Sequence, residues 1–310
     1  MLATRSLILL LFCGLASCAS DLQSPGLSQA RPDWLSSQYV IPDLPFFGSR
    51  QDTSASASLA ALLRAKGLAI SPVGLETMNA GNSSSNGLSE DIMAVTRANG
   101  YLAFDPGNDL QDLLIEISVG NPVMVAMGSR AEERYAIVKG YDLDDGSIVM
   151  NSNQTENLVM RLRDFERSWI DAGRWAMLAD SPGELPATAT EEDYYRAVVA
   201  FAAHNESNPA LGDAYLAGLR EWPESLDLLM GYADYLSRRE RYYEATDIYS
   251  SAMSLYPEHG PAHHHMAQAL IEIGQFDEAE YHLLQAMELD DGLDARYSQT
   301  LQVLRSRRQQ

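Results

Sequence analysis

Cysteine and histidine, two of the residues that most often perform nucleophilic and acid–base catalysis, are absent from the middle of this sequence. Its cysteines are Cys13 and Cys18, and the first of its six histidines is His204. Thiol catalysis requires a thiolate together with an imidazole that activates it and later protonates the leaving amine. Residues 19–203 contain neither histidine nor cysteine. The lack of cysteine also excludes a disulfide within this part of the chain. We therefore predict no thiol catalysis by this part of the chain.

Ser54 is the candidate for a different nucleophile, because it begins a run of small and apolar residues that predicts a helix over 54–66. A serine hydroxyl needs a base. Lys66 lies at the far end of the same helix, about 18 Å away by helical rise, and is poorly placed for that role. The run from Asp52 to Ser56 favours Ser54 as the cap of the helix N terminus.

Acidic residues dominate the charge of the chain, with a net charge of -21 and a pI near 4.5. Binding nucleic acid requires clustered lysine and arginine, so we predict no nucleic-acid partner. The carboxylates of Asp142–Asp145 are explained by turn chemistry, and those of Glu132 and Glu133 by solvation. No phosphate loop, dinucleotide fingerprint or zinc spacing occurs, so we predict no cofactor.

Histidines cluster at one place, where His263, His264 and His265 follow His259 by one helical turn. The pair His259 and His263 has a spacing that can hold a metal ion. However, consecutive histidines point to different sides of a helix, and no cysteine or obvious third ligand accompanies them. We predict no metal site.

The first 18 residues have the organisation of a bacterial export signal. Arg5 precedes an apolar run over residues 7–12, and the segment ends in Leu15-Ala16-Ser17-Cys18. This ending resembles a lipobox, which implies a signal peptide over 1–18, lipidation of Cys18 and attachment to the membrane through the acyl chains. Ala19 in the next position implies the periplasmic side of the outer membrane. The alternative is an ordinary secretory peptide cut near Ala16 or Ala19. Residues 19–38, rich in Ser, Gln, Pro and Gly at their start, are predicted to be a tether with little to bury.

Residues 39–186 mix helical and strand patterns. Helices are predicted over 54–66, 89–98 and 110–119, and strands over 123–127, 135–138 and 148–150. Asp144-Asp145-Gly146 separates the last two strands and is typical of a hairpin. Helices followed by an antiparallel sheet predict an α+β domain.

Residues 187–310 carry a repeat, because residues 226–259 recur as residues 260–293 with an offset of 34. This is the period of the tetratricopeptide repeat, an all-α hairpin unit. Gly274 supplies the turn of the second unit, where the first unit has Glu240. About three units are predicted, the first of them degenerate, and such arrays commonly hold a peptide or protein partner. The matching packing positions are Ala233, Tyr242, Ala245, Tyr249, Ala267, Gly274, Phe276 and Ala279.

Several short motifs occur in the order found in one peptidase family. They are Pro45-Phe46-Phe47, Gly120-Asn121-Pro122-Val123, Tyr135–Asp142, Phe165–Trp169 and Gly183–Pro186. Together with the lipobox and the repeats, the chain resembles the lipoprotein branch of the bacteriocin-leader-type papain-like cysteine peptidases. The resemblance implies a papain-like fold for residues 39–186.

The same resemblance places other residues at each catalytic position. The nucleophilic cysteine falls on Ser54, the oxyanion glutamine on Ser49 and the histidine on Arg134, and the third residue falls on Asn151 or Ser152. Lys139 is an odd number of residues from Arg134 on one strand and is predicted to face the opposite side.

We therefore predict a peptidase-like lipoprotein without catalysis, which acts as a peptide- or protein-binding scaffold at the periplasmic face of the outer membrane. Arg134 is a candidate cation for a peptide carboxylate. One alternative is an active peptidase with a displaced serine nucleophile. Another is a repeat-mediated adaptor with a vestigial N-terminal domain.

Overall fold

The computed structural model describes residues 22–29, 31–33, 35–79, 88–129, 132–290 and 295–309. The predicted signal peptide and Cys18 lie outside these residues. No helix in the described ranges is both long and apolar enough to cross a bilayer. Within them, a sheet flanked by helices is followed by a series of antiparallel helices.

The sheet part contains seven strands in the described residues. In chain order the elements are α1 (Ser24–Gln29), β1 (Gln38–Val40), α2 (Ser54–Ala65), α3 (Pro72–Asn79), α4 (Leu88–Ala98), β2 (Leu102–Phe104), α5 (Leu110–Ser118), β3 (Val123–Met127), β4 (Arg134–Asp142), β5 (Ser147–Ser152), β6 (Thr155–Arg161), α6 (Leu162–Asp171) and β7 (Ala176–Asp180). The strands are antiparallel in the order β2-β7-β3-β4-β5-β6, and β1 pairs with β4.

Two helical layers cover the sheet because side chains alternate along its strands. Tyr135 and Ile137 of β4 pack in one core with α2, and Ala136 and Val138 pack in the other core with α5 and α6. The predicted hairpin joins β4 to β5, where Asp142 Oδ1 accepts hydrogen bonds from the backbone of the turn.

The segment predicted as a loose tether is instead partly docked. Helix α1 lies within it and packs on α6, and Leu27 and Leu35 are buried. The Ser, Gln, Pro and Gly composition suggested little burial, but these two leucines supply apolar surface that the sheet domain covers.

The repeat part consists of α7 (Glu191–Asn205), α8 (Ala210–Glu221), α9 (Leu226–Arg238), α10 (Tyr242–Leu255), α11 (Gly260–Glu272), α12 (Phe276–Leu289) and α13 (Ala295–Arg307). Ala233, Ala245, Ala267 and Ala279 are fully buried where neighbouring helices approach, because a methyl side chain permits close packing. Tyr249 is also buried, and Tyr242 and Phe276 pack against the same core. The predicted fold class, an α+β domain followed by all-α tetratricopeptide repeats, is confirmed.

The two parts share a boundary core. Leu102 of β2 packs in the same cluster as Tyr194, Val198 and Phe201, which belong to α7. In addition, Asn205 Nδ2 donates a 2.7 Å hydrogen bond to the carbonyl of Arg97 at the end of α4. The first, degenerate repeat is therefore joined to the sheet by apolar and polar contacts.

Candidate functional site

The N terminus of α2 is where the family resemblance places a nucleophile. Ser54 is the first residue of this helix and is only 1% exposed. Its Oγ donates a 2.7 Å hydrogen bond to the carbonyl of Gln51 and accepts a 3.1 Å bond from the backbone N–H of Tyr135. Ser54 is therefore not the cap that its sequence context suggests, since Thr53 occupies that position. Its hydroxyl links the start of α2 to the start of β4.

Arg134 is turned away from Ser54. Tyr135 belongs to the core under α2, and the adjacent residue on a strand faces the other side. The Nη1 atom of Arg134 lies against Gly128, 3.2 Å from the place where a Cβ on that glycine would stand. Gly128 itself donates to Ser168 of α6, on the far side of the sheet. The expectation that Arg134 provides a cation beside Ser54 is therefore wrong.

A cavity of about 450 Å³ opens beside Ser54, and Glu133 and Tyr135 line it in place of Arg134. The hydroxyl of Tyr135 lies 3.2 Å from Glu133 Oε2 and 3.2 Å from the Oγ of Ser89. Burial raises the pKa of Tyr135 well above its usual value, so this phenol stays protonated. The sequence analysis assigned Glu133 to a solvated surface and Tyr135 to a family motif, and it placed neither beside Ser54, because a one-residue change in strand register exchanges which side chains face a helix.

Ser49 and Asn151 lie together inside the sheet domain. Both line a cavity of only about 10 Å³ beneath α2. Asn151 Oδ1 accepts from the backbone N–H of Asn157, and its Nδ2 has no hydrogen-bond partner among the described residues. Both side chains are buried, at 6% and 4% exposure. The structure therefore brings Ser49 and Asn151 together but leaves no room between them for a substrate.

Both lysines of the chain are engaged away from Ser54. Lys66 Nζ lies 2.8 Å from Asp180 Oδ1 and 3.1 Å from Glu184 Oε2. Burial alone would lower the pKa of Lys66, but the two carboxylates outweigh it and the pKa is raised. Lys139 is buried and donates to Asn157 Oδ1. Neither side chain is therefore placed to act, as a neutral amine, as the base for the Ser54 hydroxyl.

A second candidate site is the concave side of the repeats, which we call the groove. It is a cavity of about 580 Å³ along α9, α11 and α13. Polar and charged side chains line much of it, among them Asp234, Arg238, His265, Gln268, Glu272 and Gln299. These side chains offer both donors and acceptors to a bound chain.

Asp234 organises one end of the groove. Its Oδ1 accepts hydrogen bonds from the Tyr249 hydroxyl at 2.6 Å and from His265 Nδ1 at 2.8 Å. Burial alone would raise the pKa of Asp234, but the hydrogen bond and charge of His265 and the bond from Tyr249 lower it on balance. The repeat pattern assigned Tyr249 to packing alone, and nothing in it indicated this contact with the groove.

Four other histidines are bound to protein groups. His264 Nε2 lies 2.9 Å from Thr300 Oγ1, and His263 Nδ1 lies 3.0 Å from His282 Nδ1. His204 bonds within its own helix, to the carbonyl of Ala200. Among the residues with described positions, no group of three or more histidine, cysteine or acidic side chains has the arrangement of a metal site.

Comparison with known proteins matches residues 236–304 to the family model of the tetratricopeptide repeat. A search of curated proteins found no match. Among solved structures, the first tetratricopeptide domain of Spaghetti, bound to an HSP90 peptide, is 15% identical with a TM-score of 0.35 and covers 37% of this chain and 90% of its own. MamA from Desulfovibrio magneticus is 18% identical with a TM-score of 0.36 and covers 39% of this chain and 67% of its own. A protein described as a C39-like peptidase, from Bacillus anthracis, is 14% identical with a TM-score of 0.40 and covers 46% of this chain and 98% of its own.

Proposed function

We propose that this protein is a peptidase-like lipoprotein without peptidase activity, which holds a peptide or protein partner at the periplasmic face of the outer membrane. The observation that carries the proposal is the groove. Its volume of about 580 Å³ and its mixture of charged and amide side chains suit an extended chain with polar side groups. The resemblance of the N terminus to a lipobox supports lipidation of Cys18 and anchoring to the membrane.

The absence of catalysis is supported by the state of Ser54. A nucleophile must be free to lose its proton to a base, whereas the Ser54 proton is already donated to a carbonyl. Residues 19–203 contain no histidine, and both lysines are committed elsewhere. The cavity beside Ser54 therefore serves as a structural or binding surface.

Site-specific photocrosslinking tests the groove as the binding surface. A photoreactive amino acid replaces Gln268 in the groove or Leu284, which is exposed on α12. We expect a discrete crosslinked partner from the Gln268 position and none from the Leu284 position. Arg238→Ala should weaken capture of that partner, and Arg134→Ala should not. Equal crosslinking from both positions would contradict the groove as the site.

Activity-based labelling tests the absence of catalysis. We expect no reaction of the purified protein with a fluorophosphonate probe and no cleavage of peptide libraries. Labelling that disappears in Ser54→Ala would instead establish the displaced-serine peptidase.

Cell fractionation and mass spectrometry test the anchor. We expect acyl chains on Cys18 and recovery with the outer membrane, both lost in Cys18→Ser. Rescue of a deletion strain by residues 187–310 on a lipidated tether would favour the adaptor with a vestigial sheet domain.

A further inference from the structure

Glu166 of α6 fixes the N-terminal segment to the sheet domain. Its carboxylate is fully buried and accepts two backbone hydrogen bonds, from Gln23 N at 2.6 Å and from Ser24 N at 3.0 Å. The side chain of Gln23 in turn accepts a 2.6 Å bond from the backbone N–H of Leu110. Bonds between an ionised acceptor and amide donors are among the stronger hydrogen bonds in proteins.

This attachment leaves very little chain between the predicted lipid and the folded domain. Cys18 and Gln23 are separated by five peptide bonds, and a fully extended chain of that length reaches only about 18 Å. If the whole docked segment were released, the free chain would extend to β1 at Gln38 and would reach about four times as far. The docked segment therefore determines how far α6 stands from the membrane.

The surface beside this attachment is rich in arginine. Arg163 and Arg167 are exposed and lie one turn apart on α6, on either side of Glu166 in the sequence, and Arg161 precedes them. Asp164, which pairs with Arg167 at 3.7 Å, and Asp171 are the acidic residues exposed on this helix. In a chain with a net charge of -21, residues 161–171 stand out because they expose three arginines and only two carboxylates. Guanidinium groups suit the phosphates of lipid headgroups.

We propose that the exposed face of α6 lies against the membrane in the lipidated protein, held there by the short docked connection, with Arg163 and Arg167 at the headgroup phosphates. The proposal rests on the lipid anchor of the proposed function. It gives the protein one orientation at the membrane in place of free rotation on a tether.

Fluorescence quenching by headgroup-labelled lipids tests this orientation. The mature chain from residue 18 has one cysteine, so Cys18 can be coupled to a maleimide lipid in anionic vesicles. Azidophenylalanine, coupled to a fluorophore, replaces Asp171 at the end of α6 or, as the control, Ser306 on α13, which packs on α11 and α12. We expect quenching at the α6 position and none at the α13 position. Equal quenching at both positions would overturn the proposal.

Two variants test the cause. A flexible Gly-Ser insertion between Asp21 and Leu22 leaves the docked segment intact but lengthens the connection, and Glu166→Gln weakens the docking. Both variants should abolish the quenching at α6. The label replaces Asp171 in the parent protein and in both variants, so the lost charge does not affect the comparison. Quenching that survives the insertion would overturn the short connection as its cause.

The double variant Arg163→Gln, Arg167→Gln should lower the quenching in anionic vesicles to the level seen in neutral vesicles. Unchanged quenching would remove the arginines from the proposal. Because the lipid is coupled chemically, these results do not depend on whether cells acylate Cys18, which the mass of the protein from cells tests separately.

Discussion

At the scale of single residues, Ser54 has a structural role at the position to which the family resemblance assigned a nucleophile. Its hydroxyl both donates and accepts, and so connects a helix start to a strand start inside the domain. A thiol is a weak donor and acceptor and would make both bonds poorly. A hydroxyl at this position therefore stabilises the sheet domain better than a thiol would.

Ser54→Ala should destabilise the sheet domain by about 1–3 kcal/mol, because the buried backbone N–H of Tyr135 loses its acceptor. Denaturant unfolding followed by circular dichroism measures the change. Ser56→Ala is the matched control, since the Ser56 hydroxyl donates to the nearby carbonyl of Thr53 and its side chain is less buried than that of Ser54. A loss of similar size in both variants would contradict the specific role of Ser54.

At the scale of elements, the two turns inside the repeat hairpins differ in how well their residues suit the backbone. Gly274 has a φ of +79°, which glycine adopts without strain. Glu240, at the corresponding place in the preceding repeat, has a φ of +61°. The backbone keeps the turn geometry even where the side chain disfavours it, because the packing of the flanking helices determines the turn.

Glu240→Gly should therefore stabilise the repeats by about 0.5–1 kcal/mol, since a Cβ in the left-handed region is unfavourable. Gly274→Ala should destabilise them by about 1 kcal/mol from backbone strain alone, because no atom lies within 4 Å of the added Cβ. Thermal unfolding of the two variants measures both effects. Changes of the same sign would contradict this account.

The contact between α11 and α12 makes the repeats sensitive to acid. Burial, reinforced by the nearby His263, lowers the pKa of His282 below its usual value. The unfolded chain therefore binds a proton more readily than the folded one, so this residue lowers the stability as pH falls through about 6.5. His259 acts in the same direction, since burial also lowers its pKa.

Unfolding free energy should fall between about pH 7.5 and about pH 5, and His282→Gln should flatten part of that dependence. Urea titrations at a series of pH values measure the slope. His204→Gln, at an exposed position on α7, is the control for replacing a histidine. If the pH dependence has the same slope in His282→Gln as in the parent protein, His282 is not its cause.

At the scale of the whole molecule, the sheet and the repeats are mutually stabilising. The side chain of Leu102 lies in the repeat core and Asn205 bonds to the end of α4, so separating the parts exposes apolar surface and breaks a hydrogen bond. The degenerate first repeat, which departs most from the 34-residue pattern, is the one that the sheet supports.

Residues 187–310 in isolation should thus unfold with a Tm lower than that of the intact protein by about 5 °C or more. Leu102→Ala in the full chain should lower the Tm of the repeats in the same direction. Calorimetry of the three proteins measures this. An isolated fragment as stable as the repeats in the full chain would show that the shared core contributes nothing.

Local patterns in the sequence determined much of the architecture. The 34-residue offset placed the alanines of the repeat core and the turn at Glu240, and the long apolar runs placed α2, α5, β3 and the β4–β5 hairpin. These predictions were correct because periodicity and turn chemistry depend on residues that are close together in the chain. The lack of cysteine and histidine in residues 19–203 likewise follows from the sequence alone.

The tertiary structure decided which side chains meet. Strand register turned Arg134 away from Ser54 and put Glu133 and Tyr135 in its place. Glu166, which no sequence pattern marked as a partner of the N-terminal segment, binds a segment more than a hundred residues earlier. Contacts between distant segments depend on register and packing of the whole domain, and a single sequence carries no local signal for either.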